Sequence, residues 1–304
     1  VEEGRHVAHL WPGHPERPDR VEAIRARLAA VPHLASLPRL SITPADDEAL
    51  LRVHTRDHLG QVAALCAAGG GHFDADTYAT PSSDACARVS AGGAMAAVEA
   101  VVDGDHDAAF AVLRPPGHHA TASHAMGFCL YNNVAVAIEH ARAQRGIGRV
   151  AIVDIDVHHG NGSQDTYWND PGVLYTSLHQ YPFYPGTGAL DDRGGPEATG
   201  LTVNVPLPAG TAAQGWLGEF DAAVLPALRA FAPELVVVSC GFDAHRDDPL
   251  ADLLLDTATY AQVAERLTSL AAQPPPSAWI LEGGYDLDAL AASTEAVLDV
   301  LVRA

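Results

Sequence analysis

The stretch "RVAIVDIDVHHGNG", residues 149–162, joins a short apolar run to a dense group of aspartates and histidines. An apolar run of this length that ends in polar residues is typical of a buried strand in a parallel sheet. Ligands of open parallel sheets bind beyond the carboxyl ends of the strands. The stretch therefore predicts an α/β fold with a site at the end of this strand.

Five further apolar runs alternate along the chain with helical patterns. They are "DAAFAVLRP" (107–115), "GVLYTSLH" (172–179), "LTVNVPL" (201–207), "ELVVVSC" (234–240) and "SAWILEGG" (277–284). This alternation predicts a mostly parallel sheet flanked by helices. We expect helices at 16–30, 55–68, 82–103, 131–144, 211–230, 256–272 and 286–302, capped among others by Thr55, Ser82, Asn132 and Thr211. Apolar strands resume after the loops at 185–200 and 271–278, so we expect a single domain over residues 1–304.

The composition excludes several classes of protein. With 48 % apolar residues the chain is globular, and a net charge of −20 opposes binding to nucleic acid or to an anionic membrane surface. No apolar run approaches the roughly 18 residues that cross a bilayer, and the first residues lack the features of a signal peptide. We expect a cytoplasmic protein without nucleic-acid or membrane partners, and a homo-oligomer is compatible with the sequence.

Three more strand ends carry groups suited to metal binding or proton transfer. His118 and His119 follow "FAVLRPPG", Asp243 follows "LVVVSCGF", and Tyr285 follows "WILEGG". Isolated histidine pairs are common in loops, but the carboxyl ends of parallel strands share one edge of a sheet. The four strand ends together therefore predict a reaction site.

Asp156 and His158 are the first candidate metal ligands. Side chains alternate along an extended chain, so these two and Asp154 would point the same way. Carboxylate and imidazole are ordinary zinc ligands, and a third protein ligand would leave one position for water, as a catalytic zinc requires. Asp243 is the best third candidate, because it ends another apolar strand behind Gly241. The alternative is that Asp154 and Asp156 cap the following helix and the histidines are surface residues.

Seven motifs, taken in order, resemble those of the histone deacetylase superfamily, and most of all its class II-like branch and bacterial histone deacetylase-like amidohydrolases. They are "RPPGHHA" (114–120), "GFCLYNNVAVA" (127–137), "DIDVHHGNG" (154–162), "SLHQYPFYPGTG" (177–188), "NVPLPAGT" (204–211), "GFDAH" (241–245) and "EGGYD" (282–286). The resemblance implies a three-layer arginase-like α/β fold with a mostly parallel eight-stranded sheet. It also implies zinc-dependent hydrolysis of an acetyl amide on a lysine or a similar amine.

The resemblance implies two metal ions. Asp156, His158 and Asp243 would bind one zinc ion per chain, which would polarise the scissile carbonyl and acidify water. A potassium ion would bind nearby, at Asp154, Asp156, His158, Ser177 and Leu178.

The resemblance also implies which groups move protons. His119 would take a proton from the attacking water and later pass one to the leaving amine, while His118 would orient the water. Tyr285 would donate a hydrogen bond to the scissile carbonyl. Asp154 would support His118, and Asn161 would support His119.

The implied substrate site is a narrow tunnel walled by Phe128 and Tyr184, next to Gly127. Phenylalanine is the commoner residue at the second of these positions, so Tyr184 adds a hydroxyl. Leu250 stands where polyamine-selective relatives tend to carry glutamate. Because leucine has no charge to attract a second amine, this residue disfavours a polyamine substrate.

Two charged residues near the implied tunnel have a looser match. Asp76, or its neighbour Asp74, would hold the substrate backbone at the rim. Arg17 would line an internal channel that releases acetate. The alternative for Asp76 and Arg17 is that both are solvated surface charges.

These roles lead to one leading hypothesis and three alternatives. The leading hypothesis is a zinc-dependent deacetylase that acts on acetylated lysine peptides or small acetylated amines. An acetylpolyamine amidohydrolase would use the same chemistry. A ureohydrolase with two manganese ions would need additional bridging ligands. A module that only binds acetyl groups would be expected to lack Tyr285, one of the two histidines His118 and His119, or a zinc ligand.

Overall fold

The centre of the protein is a six-stranded sheet, seen in a computed structural model that describes residues 6–304. A separate antiparallel pair, β1 (Gly71–His72) and β2 (Tyr78–Ala79), precedes it in the chain. The strands of the main sheet are β3 (Ala108–Ala111), β4 (Val150–Asp154), β5 (Val173–Gln180), β6 (Thr202–Leu207), β7 (Leu235–Cys240) and β8 (Ser277–Leu281). Their order is β3-β8-β7-β4-β5-β6, and every neighbouring pair is parallel. The α/β class predicted from the alternation is confirmed.

The main sheet has six strands within residues 6–304, where the resemblance implied eight. β1 and β2 do not extend it, because they have two residues each and pair with one another. β3 is an edge strand. Residues 37–42 and β3 line a groove of about 790 Å³ and form no ladder with each other. Among the described residues the sheet therefore ends at β3 on this side.

Helices pack on both faces of the sheet. They are α1 (Asp19–Ala30), α2 (Pro32–Ala35), α3 (Asp47–Leu50), α4 (Arg56–Ala67), α5 (Ser83–Val102), α6 (Asn133–Arg145), α7 (Asn161–Tyr167), α8 (Ala213–Glu219), α9 (Leu225–Phe231), α10 (Thr257–Thr268) and α11 (Leu287–Leu301). Each predicted helix is present within a few residues. The segment predicted as one helix at 211–230 consists of α8, a π-helical turn at Phe220–Val224, and α9. The short helices α2, α3 and α7 were not predicted, because so few residues show no clear periodicity.

Two of the four expected helix caps are present. Thr55 and Asn132 each accept a hydrogen bond from the backbone N–H three residues further on. Ser82 is wrong as a cap, because its backbone is already helical and its side chain makes no capping bond. Thr211 is wrong as well, since the N-cap of α8 is the next residue, Ala212.

The sheet lies between two helical layers. Along β4, Val150 and Ile152 belong to one apolar cluster and Ala151 and Val153 belong to the other, since successive side chains of a strand point to opposite faces. The first cluster contains residues of α5 and α6, and the second contains residues of α1, α10 and α11. The three-layer architecture implied by the resemblance is therefore present.

Helix α5 corrects the sequence-based view that no segment is long and apolar enough to cross a membrane. Its 20 residues pass that test by length and composition, with a mean hydropathy of 1.3. The sequence reading overlooked this segment because scattered polar residues interrupt its apolar run. In the fold, 67 % of the tested window is buried inside the protein, where α5 packs against α6 and β3. This is the position of a core helix.

Buried histidines make the fold sensitive to acid. His54 is 3 % exposed, its Nε2 accepts a hydrogen bond from Asn132 N at 2.9 Å, and its Nδ1 donates to Thr121 O at 2.9 Å. Burial lowers the pKa of His54 to about 3 and the pKa of His179 to about 4. Below its ordinary pKa of about 6.5, a histidine in the unfolded chain takes up a proton that these folded rings exclude. Their contribution to stability is therefore lost as the pH falls.

We expect the free energy of unfolding to fall by about 1.4 kcal/mol per pH unit for each such histidine between about pH 6 and pH 5. Urea unfolding at several pH values measures this slope. His54→Gln should flatten the slope, whereas substitution of the exposed His124 by Gln should leave it unchanged. The same slope in wild type and His54→Gln would contradict the prediction.

Candidate active site

The carboxyl ends of three adjacent strands hold the candidate site. In the sheet, Asp154 of β4 lies opposite Ser239 of β7, and Ser239 lies opposite Ile280 of β8. The loops that follow β4, β7 and β8 therefore begin side by side. These strand ends and loops carry Asp154, Asp156, His158, Asp243 and Tyr285, whereas His118 and His119 come from the loop after β3, the neighbour of β8.

Asp156, His158 and Asp243 form a compact group whose ligand atoms all lie within 4.8 Å of one another. His158 Nδ1 lies 3.1 Å from an oxygen of each carboxylate. Backbone groups hold the carboxylates in place, since Gly283 N donates to Asp156 at 2.8 Å and Val157 N donates to Asp243 at 2.9 Å. One imidazole and two carboxylates are thus fixed around a single point, which we call the metal group.

The charges of the metal group fit a divalent cation. Burial raises the pKa of Asp243 to about 7, and the charge of Asp156 adds to this effect. Burial lowers the pKa of His158, but the two carboxylates outweigh it and raise that pKa to about 10. Both shifts have the same cause, the negative charge of this buried group, which a bound divalent cation would compensate. Three protein donors of these types suit a zinc site that keeps one position for water or substrate.

The ligands converge through a loop rather than through strand alternation. β4 ends at Asp154, and the chain bends after it. Asp156 N donates to Asp154 Oδ1 at 3.2 Å, and His158 N donates to Asp156 Oδ1 at 2.9 Å. The alternative in which these aspartates cap the next helix is wrong, because α7 begins at Asn161 with Gly160 as its N-cap.

His118 and His119 lie beside the metal group, and each has its own partner. Their ring centres are 4.0 Å apart. His118 Nδ1 lies 3.1 Å from Asp154 Oδ2, and His119 Nδ1 lies 2.9 Å from Asn161 Oδ1. Burial lowers the pKa of His118, but Asp156 and Asp154 raise it to about 10. For His119, burial and then the charge of His118 lower the pKa well below 6.5.

Asp154 is held by a second donor that the sequence analysis missed. Tyr175 Oη donates to Asp154 Oδ2 at 3.2 Å, the same oxygen that faces His118. Gly160 is required beside this group, because a Cβ there would collide with the Asp154 carboxylate. In the motif "VLYTSLH", Tyr175 carries no signal that separates it from an ordinary buried strand residue.

Aromatic rings border the metal group. The ring centre of Tyr184 lies 5.2 Å from that of His119, and the ring centre of Phe128 lies 5.7 Å from that of Tyr285. Phe128 has a φ of 67°, a left-handed conformation that non-glycine residues rarely adopt. Gly127, with a φ of 55°, leaves room for the His119 ring, which a Cβ would strike. Gly127 and Tyr184 therefore lie beside His119, and Phe128 lies beside Tyr285.

Comparison with known proteins agrees with this geometry. The sequence matches the histone deacetylase domain over residues 14–301. The chain belongs to the histone deacetylase family. It is 41 % identical to a histone deacetylase-like amidohydrolase of Pseudomonas aeruginosa, over 90 % of this chain and 73 % of that protein. It is 40 % identical to a "Probable deacetylase" of Methanothermobacter thermautotrophicus, over 95 % of this chain and 86 % of that protein.

A solved structure supports the same assignment. The crystal structure of the HDA15 HD domain matches the fold with a TM-score of 0.93 and 40 % sequence identity, over 98 % of this chain and 87 % of that chain. As a member of the histone deacetylase family, the protein is a hydrolase of the deacetylase or amidohydrolase type. Its metal group is consistent with the zinc site of that family.

In this member of the deacetylase family, the hydrogen bonds of the predicted rim residues Leu250, Asp74 and Asp76 are mostly within their own loops. Leu250 is half-buried in the loop after β7, and its backbone N–H donates to Asp248 Oδ1 at 3.0 Å. Asp74 Oδ1 accepts hydrogen bonds from two backbone N–H groups of its own loop, including that of Asp76. Asp76 O lies 2.9 Å from the Nε2 atom of His14, whose ring packs against the tunnel wall. Because this contact is made by the backbone of Asp76, the choice between the carboxylates of Asp76 and Asp74 stays a prediction.

Arg17 is wrong as the arginine of an internal channel. Its side chain is 45 % exposed at the surface. Arg20 is buried instead, its Nε donates to Gly284 O at 2.6 Å, and its guanidinium lies 4.9 Å from the ring centre of Tyr285. The available signal was helix phase, since Arg20 lies four residues before Ile24, on the buried face of α1.

Proposed function

We propose that the protein is a zinc-dependent amidohydrolase that removes acetyl groups from lysine side chains or related amines. The observation that carries the proposal is the metal group with His118 and His119 beside it, and with Tyr285 two residues after Gly283, whose N–H donates to Asp156. Zinc bound to this group would supply a Lewis acid for the amide carbonyl and for water. Three protein donors, two histidines and a phenol together provide what amide hydrolysis requires.

In this proposal His119 moves the proton. Its Nδ1 faces Asn161 Oδ1, which leaves Nε2 as the basic nitrogen, and its lowered pKa keeps the ring neutral near pH 7. His119 would therefore accept the proton of the attacking water and return one to the departing amine. His118, paired with Asp154, would orient the water and stabilise the negative charge that develops, and Tyr285 would donate a hydrogen bond to the carbonyl oxygen.

Phe128 and Tyr184 are proposed to enclose the stem of the acylated side chain. The methylene groups of lysine would pack against the two rings, next to Gly127. Tyr184 Oη is buried and has no hydrogen-bond partner within residues 6–304, so this wall is more polar than one with phenylalanine. Asp76 at the rim would accept hydrogen bonds from backbone N–H groups of the substrate, and the net charge of −20 would attract a cationic amine.

A potassium site is proposed beside the metal group, at Asp154, Asp156, His158, Ser177 and Leu178. Asp154 and Ser177 are register partners in the pair β4 and β5, so their backbone groups are close together. Burial raises the pKa of Asp154, and a monovalent cation next to this carboxylate would compensate its charge. Ser177 Oγ also lies 2.9 Å from His179 Nδ1, which orients the hydroxyl.

The second candidate function is hydrolysis of acetylpolyamines. The net charge of −20 favours a polyamine as much as a lysine peptide. Leu250 argues against it, because this apolar side chain offers no charge to a second amine. The competing view of a module that binds acetyl groups without cleaving them is disfavoured by the presence of His118, His119 and Tyr285 together.

The proposal is tested with three substrate classes: an acetyl-lysine peptide, an acetylpolyamine and longer acyl-lysines. We expect the acetyl-lysine peptide to be hydrolysed fastest, a chelator to abolish the activity, and one zinc ion per chain to restore it. Bound zinc with no turnover of any acylated amine would favour the binding module. Two manganese ions per chain, in place of one zinc ion, would favour the ureohydrolase alternative.

A further inference from the structure

Glu282 is a buried acid that none of the roles above uses. It directly follows β8 and is 0 % exposed. Its Oε2 accepts hydrogen bonds from Gly117 N at 2.6 Å and from His118 N at 3.2 Å. Its Oε1 is buried and has no hydrogen-bond partner within the part of the chain that the structure describes. A buried carboxylate with an unpaired oxygen opposes folding, so stability alone does not account for it.

The backbone around Glu282 is tied to the metal group. The next residue, Gly283, donates its N–H to Asp156 at 2.8 Å. Glu282 N donates to Cys240 O at 3.1 Å, and Glu282 O accepts a hydrogen bond from Arg20. The carboxylate therefore links the loop of the tandem histidines to the end of β8, where the next residue, Gly283, contacts the metal group.

The loop of the tandem histidines is confined from the opposite side as well. A Cβ at Gly117 would collide with the backbone N of Asn133 and the backbone O of Tyr131. Gly117 and His118 are thus held between the start of α6 on one side and the Glu282 carboxylate on the other. Without that carboxylate the packing on the first side and the pairing of β3 with β8 remain, but the two hydrogen bonds that join Gly117 and His118 to the residue after β8 are lost.

We propose that Glu282 is a positioning residue that sets where the imidazoles of His118 and His119 stand relative to the metal group. The inference rests on the function proposed above. Glu282 acts through backbone hydrogen bonds and has no contact with the metal group through its side chain among the contacts of residues 6–304. A catalytic group that is misplaced by about 1 Å lowers the rate by about 100-fold. Loss of the carboxylate should therefore lower kcat and leave KM and metal binding unchanged.

Glu234 offers a matched control. Its Oε2 also accepts hydrogen bonds from two consecutive backbone N–H groups, from Gly148 at 2.7 Å and from Arg149 at 2.9 Å. This pair lies at the amino-terminal ends of β4 and β7, away from the candidate active site, and Glu234 is exposed. Variants of Glu234 remove the same kind of interaction without touching the loop of the tandem histidines.

The experiment compares Glu282→Ala, Glu282→Gln and Glu234→Ala with the wild-type zinc enzyme. We expect kcat to fall by about 100-fold in Glu282→Ala, with KM and zinc content unchanged. Glu282→Gln keeps an acceptor oxygen for the two N–H groups, so its kcat should lie between those of Glu282→Ala and wild type. Glu234→Ala should keep the wild-type kcat.

A second readout does not depend on turnover. The imidazole ¹H–¹⁵N signals of His118 and His119 should shift in both Glu282 variants and stay in place in Glu234→Ala. If Glu282→Ala does not fold, Glu282→Gln decides by the same two readouts.

Three results would overturn the inference: unchanged imidazole signals, a wild-type kcat in the Glu282 variants, or a loss of kcat that parallels a loss of zinc or of stability. Absence of turnover in the wild type would instead contradict the proposed function, and the imidazole signals would still decide on Glu282.

Discussion

Replacement of Asp243 by alanine is expected to lower the affinity for zinc by more than about 100-fold. Loss of a group that only supports a metal ligand lowers the affinity by up to about 100-fold, and loss of a ligand itself should cost more. Asp243 contributes one of the three converging donors of the metal group. Its Oδ1 also accepts a hydrogen bond from Val157 N at 2.9 Å, which holds the loop that carries His158. The variant therefore loses one ligand and loosens a second, and amide hydrolysis should be lost with the metal.

The zinc content per chain after dialysis measures this effect. Asp247→Ala is the control, because the Asp247 side chain lies in the same loop and is 66 % exposed. The Asp243 variant should stay folded without metal, because burial and repulsion from Asp156 raise the pKa of Asp243 to about 7 and disfavour its charge. Full zinc occupancy in Asp243→Ala would show that Asp243 is not a ligand.

Replacement of His119 by alanine is expected to lower kcat by about 100- to 10,000-fold while zinc stays bound. His119 is not one of the three donors of the metal group, so its loss leaves the ligands intact. Burial and the charge of His118 keep the ring neutral, and Asn161 engages its Nδ1. The variant therefore lacks the proton acceptor but retains the metal.

Turnover of an acetyl-lysine peptide and zinc content, measured on the same sample, test this expectation. His124→Ala is the control, since His124 lies in the following loop and is exposed. Asn161→Ala should lower kcat less than His119→Ala, because it removes only the partner of the ring. Near-normal kcat in His119→Ala would defeat the assignment of the base.

Most of the fold could be predicted from local pattern. Strands such as β4 and β7 are buried on both faces, so their sequences are continuous apolar runs that can be recognised without the rest of the fold. The cap at Ser82 and the number of strands could not be predicted in this way. A cap depends on the dihedral angles of one residue, and a strand exists only if its neighbour pairs with it.

The candidate ligands could be selected because Asp156, His158 and Asp243 are chemically distinctive residues directly after apolar runs. The same was not possible for Tyr175, Arg20 and Glu282. Each is a residue type that commonly occurs at its position, in a strand, in a helix or directly after a strand. Tyr175 Oη faces a carboxylate 21 positions away, and Glu282 contacts an N–H group 165 positions away. Such contacts depend on strand register and helix phase, which no short motif contains.

By itself the sequence determined the α/β class, the family and the residue types of the metal group, because these follow from the identity and order of residues within short motifs. The tertiary structure alone decided that β4 ends at Asp154 and that backbone hydrogen bonds bend the following loop toward Asp243. It also decided that Arg20, and not Arg17, lies under Tyr285. The physical reason is that parallel pairing of β4, β7 and β8 brings loops from distant parts of the chain into hydrogen-bonding distance.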